Sequence, residues 1–127
     1  MPYKVSIQEE REYIRVEVTG ERGRGQEATD SKEFWLGMAN LCNDKGVYGI
    51  LAIFNLTGRL PMMAGHEVGT WVVETKLLTE LKIAVVDLND ESRINNQFIE
   101  TFAGNRTRYD RGKVFDDEKA ALEWLLQ

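Results

Sequence analysis

Two short apolar runs organise the chain: YGILAIFNL at 48–56 and KIAVVDL at 82–88. Each is too short for a core helix, is rich in Ile, Leu, Val or Phe, and has helix-like segments on both sides. Such runs read as strands buried on both faces. Two of them separated by a helix need a parallel crossover. Ahead of them, YKVSIQ (3–8) and YIRVEVT (13–19) alternate apolar and polar positions. Ile14, Val16 and Val18 share one face of the second segment, and Arg15, Glu17 and Thr19 the other. That period of two predicts strands with one wet face, and the short polar stretch 9–12 predicts an antiparallel hairpin.

Helical spacing fills the gaps. After the glycine-rich stretch GERGRGQEAT (20–29), Asp30 is expected to start and cap a helix, with Glu33 three residues on. Its stripe is Phe34, Met38, Leu41 and Cys42, with Trp35 alongside. Lys45 and Gly46 suit the end of that helix. Pro61 suits the first turn of a second helix, whose buried stripe is Val68, Trp71, Val72 and Thr75. Gly65 and Gly69 predict an irregular start to it. A third helix, capped by Asp90 or Ser92, carries Ile94, Phe98, Ile99 and Phe102. A short edge strand at 113–115 and a last helix, capped by Asp116 or Asp117, complete a ββαβαβαβα order. The expectation is one α/β domain over 1–127: a mixed, mostly parallel sheet with an N-terminal hairpin and four βα turns.

Composition narrows the function classes. The 127 residues carry a net charge of −5, against the basic face that phosphate-backbone binding needs. No nucleic acid is therefore expected. The single cysteine, Cys42, allows no internal disulfide. The N-terminal sequence is not that of a signal peptide, and no apolar run approaches a membrane span. The expected location is the cytoplasm.

The order of elements and their ends resemble the STAS family of anti-sigma-factor antagonists and its SpoIIAA-like relatives. Three segments carry the likeness: ILAIFNLTG, LKIAVVDLND with Trp71 in the helix before it, and FAGNRTRYDRGKVFDDEKAALEWLL at 102–126. The resemblance implies a SpoIIAA-like fold and a non-enzymatic regulatory domain that acts by binding other proteins. In regulatory members a Ser or Thr at the start of the second helix is phosphorylated. Here the matching stretch RLPMMAG (59–65) has no hydroxyl, and Thr57 is the nearest one. Other relatives, close to CRAL-TRIO-type domains, carry an apolar pocket, which implies a lipid or another apolar small molecule as the alternative ligand.

Ligands of parallel α/β sheets bind beyond the carboxyl ends of the strands. Those ends are Gly20 onward, 55–60, 87–91, and Asp116 with Asp117. The loop Gly23-x-Gly25-x-x-Ala28 formally matches a dinucleotide fingerprint, yet Asp30 lies too far on for a pyrophosphate to meet the helix start. No cofactor is expected. His66 is the one histidine and lacks a neighbouring nucleophile, so neither a catalytic site nor a metal site is expected. Asp87, Asp90 and Glu91 suit capping a helix start, and Arg106, Arg108 and Arg111 a solvated loop. Leu60, Met62 and Met63 read equally well as core or as an adaptable binding surface. The expected binding set is Asn55, Thr57, Leu60, Met62, Met63, His66 and Trp71. Its occupant would be a protein partner or a second copy in a homodimer, or else the apolar small molecule.

Overall fold

The computed structural model describes residues 3–23, 25–58, 61–75, 80–90, 93 and 112–127. Within these, β1 (Tyr3–Glu9) and β2 (Ile14–Glu21) form the expected hairpin. Helix α1 (Glu27–Lys45), β3 (Gly49–Thr57), α2 (Met62–Thr75), β4 (Lys82–Asp87), β5 (Gly112–Phe115) and α3 (Glu118–Leu125) follow. The sheet runs β1-β2-β3-β4-β5, with β1 antiparallel to β2 and every other pair parallel. The protein is thus an α/β structure with a mixed, mostly parallel sheet. The expected third helix around 94–102 and the arginine loop at 104–111 lie outside the described residues. No helix among the described residues is long and apolar enough to cross a membrane.

Strand β3 shows why an unbroken apolar run becomes a central strand. Its residues alternate between two cores. Ile50, Ala52, Phe54 and Leu56 join Ile14, Val16, Val18, Ile83 and Val85 on one face, under Phe34, Met38 and Cys42 of α1. Leu51 and Ile53 join Ala84 and Val86 on the other, under Ala121 and Leu125 of α3. Phe34 makes edge-on contacts with Trp35 and Phe54, at centroid distances of 4.8 and 5.5 Å. Val72 of α2 packs against the first core; Trp71 is half-buried and Thr75 exposed. The predicted stripe on α2 therefore ends before Thr75, whose hydroxyl donates back to the Trp71 carbonyl.

Three local expectations change. Helix α1 begins at Glu27, four residues earlier than a cap at Asp30 implies, and its N-cap Gln26 makes no side-chain cap bond. Asp30 is not a cap but lies inside the first turn and is buried. Helix α2 is regular through Gly65 and Gly69: the Gly65 N–H donates to Pro61, and both glycines join Val68 in its buried face. Here the small residues sit where burial, rather than propensity, decides.

The helix ends follow simple chemistry. Gly46 closes α1 at φ 68°, a left-handed conformation, and the backbone bonds back to the Cys42 carbonyl. Asp117, not Asp116, caps α3 by accepting from the Ala120 N–H at 2.9 Å. Asp117→Ala is expected to cost about 1 kcal/mol, whereas Asp116→Ala should change stability by less than about 0.5 kcal/mol. Urea denaturation of the two variants side by side checks this.

Burial pushes the Cys42 thiol up to about 11, and only the thiolate is nucleophilic. The native protein should therefore resist thiol reagents at neutral pH and label quickly once unfolded. Fast labelling without denaturant would place Cys42 outside the core.

Candidate functional site

At the carboxyl edge of the parallel strands the apolar stripes stop and polar groups take over. Arg22 follows β2 and is held by its backbone N–H, which donates to the Thr57 carbonyl at 3.0 Å. Gly58, at φ 89°, turns tightly against it; a Cβ there would stand 3.3 Å from the Arg22 Cβ. The Arg22 guanidinium lies 3.9 Å from the Asp87 carboxylate, with both side chains almost fully buried. That separation is an ion pair without hydrogen-bond contact. The other Asp87 oxygen accepts from the Asn89 N–H at 3.0 Å. Asn89 in turn reaches the carbonyls of Leu56 and Gly58, and Arg93 donates to the Asp87 carbonyl while pairing with Asp90 at 2.7 Å. Asp87 is therefore a buried anchor between strand ends rather than a surface acid at a helix start.

Tyr3, Arg22 and Asp30 complete this buried polar group from three separate elements. The Tyr3 hydroxyl, Arg22 Nε and Asp30 Oδ2 are buried without a hydrogen-bond partner among the described residues. Burial pushes the Tyr3 phenol above its ordinary value; the Arg22 charge opposes the shift and the Asp30 charge adds to it. The group is sealed from solvent, so it presents no reactive atom at the surface. Its effect is to tie the start of β1, the end of β2, the first turn of α1 and the end of β4 into one corner.

The sequence reading misses Arg22, Asp30 and Tyr3, although a signal existed. Asp30 lies four residues before Phe34 and eight before Met38, in phase with the buried stripe of α1. Arg22 continues the alternation of Val16, Val18 and Gly20, and Asp87 that of Ile83 and Val85. The capping pattern at Asp30 and the glycine-rich composition around Arg22 masked these phases.

Above this corner, the start of α1 and the whole of α2 border an open groove of about 600 Å³. Met63, His66 and Trp71 line it from α2, together with Glu67 and Glu74; Glu27 and Lys32 line it from α1. Lys32 and Glu67 bridge the two helices at 2.7 Å. Met62 and Met63 are 57% and 80% exposed, so neither is tucked into the core. The expected binding set is thus divided. Met63, His66 and Trp71 share the groove, and Met62 stands exposed on the same first turn. Asn55 and Thr57 do not line it, because strand alternation puts them in phase with Leu51 and Ile53, on the α3 face. The Thr57 hydroxyl instead donates to the Gly20 carbonyl. Leu60 lies outside the described residues.

No protein-family model matches the chain, and no curated protein matches it either.

Proposed function

We propose that the protein is a non-enzymatic, STAS-like binding domain of the cytoplasm that holds a segment of a protein partner at the start of α2. The observation that supports this reading most is the exposure of Met62 and Met63 on the first turn of α2, beside the groove that Trp71 lines. Flexible, polarisable methionines adapt to the side chains of a partner. An exposed apolar pair at a helix start adds nothing to folding. Among the described residues the groove carries Glu27, Glu67 and Glu74 against one cation, Lys32, which Glu67 already engages. Its complement is a peptide segment with apolar anchors and Lys or Arg beside them. The acids and the open shape speak against the alternative, an apolar small molecule or lipid, which needs an enclosed apolar cavity.

The test uses a basic amphipathic peptide and the same peptide with its cations replaced by Glu. Titration of the basic peptide should shift tryptophan fluorescence, and replacing Met62 and Met63 together by Ser should weaken binding about tenfold or more. Leu36→Ser, at an exposed apolar position of α1 that does not line the groove, should leave binding unchanged. Equal binding of the acidic and basic peptides would count against the groove as the site.

A further inference from the structure

Strand β1 is the outer strand of the sheet, and residues 4–9 are all exposed. An outer strand presents alternate N–H and C=O groups with no partner, and natural proteins usually blunt such an edge with a bulge, a proline, a very short strand or charged side chains. β1 has no bulge or proline, and its charged residues, Lys4 and Glu9, stand toward its two ends and leave the middle uncharged. It pairs with β2 over seven residues in continuous register, from Tyr3 opposite Gly20 to Glu9 opposite Ile14. Its apolar face is also left half-covered. Val5 and Ile7 are 36% and 48% exposed, although Val18 and Val16 directly opposite them on β2 are fully buried. An open hydrogen-bonding edge and an uncovered apolar stripe thus coincide on one strand.

We propose that this edge pairs with β1 of a second copy of the chain, antiparallel about a two-fold axis at Ser6, to make one ten-stranded sheet. Charge favours a second copy in that direction. Lys4 stands near the start of the strand, and Glu9 and Glu10 stand at its end. Antiparallel self-pairing brings the cation of each copy toward the acids of the other, whereas parallel pairing sets like charge against like. Among antiparallel registers, the axis at Ser6 puts Val5 opposite Ile7 of the second copy, twice, and joins the two stripes. It also sets Lys4 opposite Gln8 and diagonal to Glu10 of the second copy, within reach of a long side chain. An axis at Ile7 would instead place Val5 opposite Glu9. A shift of one residue would pair the apolar face with the polar one. The contact is small beside a standard protein interface, so the dimer is a reversible one.

Sedimentation of the full chain from micromolar to near-millimolar concentration reads the association directly. A monomer–dimer equilibrium is expected, and Ile7→Lys should weaken it about tenfold or more while leaving the melting temperature unchanged at low concentration, where the chain is monomeric, because Ile7 is half-exposed. Ser6→Cys gives an independent readout. Residues facing each other across an antiparallel pair have Cα atoms about 4.5–5.5 Å apart, within disulfide reach, and the native Cys42 is buried. Mild oxidation should link Ser6→Cys into covalent dimers, while Gln8→Cys, which faces Lys4 of the second copy, should stay monomeric. A chain that remains monomeric at every concentration overturns the proposal. So does a dimer that Ile7→Lys leaves intact, or equal cross-linking at positions 6 and 8.

Discussion

Asp87→Ala is expected to lower stability by about 3–5 kcal/mol, a large fraction of what holds a domain of this size together. The side chain is 1% exposed and faces the equally sheltered guanidinium of Arg22. Removing it leaves a cation in low dielectric with its nearest counter-charge gone. It also strips the Asn89 N–H of its acceptor at a strand end. The pair itself need not be stabilising, because burying two charges costs about as much as their attraction returns. Arg22→Met combined with Asp87→Leu should therefore recover most of what Asp87→Ala loses. Urea denaturation of the three proteins measures both effects. A loss below about 1 kcal/mol in Asp87→Ala would show that water reaches the pair.

Phe34→Ala should cost about 3–5 kcal/mol by a different route. The ring is nearly enclosed and contacts Trp35 and Phe54 edge-on. Its removal opens a cavity where α1 crosses β3, and a regular helix over a regular sheet has little freedom to close it. Leu36→Ala, two residues along the same helix but 46% exposed, should stay within about 0.5 kcal/mol. Trp35 lies against the site, so denaturation followed by tryptophan fluorescence reads the variants directly. Comparable losses at 34 and 36 would mean that helix propensity, not packing, governs α1.

How much of this was legible beforehand depends on the range of the interaction. The runs at 48–56 and 82–88 were readable as central strands because burial on both faces leaves no polar position in their middles, 50–54 and 83–86. The hairpin was readable because Ile14, Val16 and Val18 alternate. The helix caps were less so. The Asp30–Glu33 spacing looks like a cap, yet the backbone turns helical four residues earlier, and the phase with Phe34 and Met38 carries Asp30 inward. Asn55 and Thr57 adjoin Met62 in sequence but not in the groove, since a strand sends successive side chains to opposite faces.

The amino-acid sequence by itself determined the α/β class, the parallel pairing of the two central strands and most of the core, because periodicity and burial are local properties of short segments. Only the tertiary structure decided which strand ends share a corner. The meeting of Tyr3, Arg22, Asp30 and Asp87 depends on strand order and on the angle at which α1 crosses the sheet, and no spacing along the chain encodes either. The exposure of Met62 and Met63 was decided in the same way. A methionine at a helix start is equally suited to core and surface, and the direction in which α2 leaves the sheet turns these two outward.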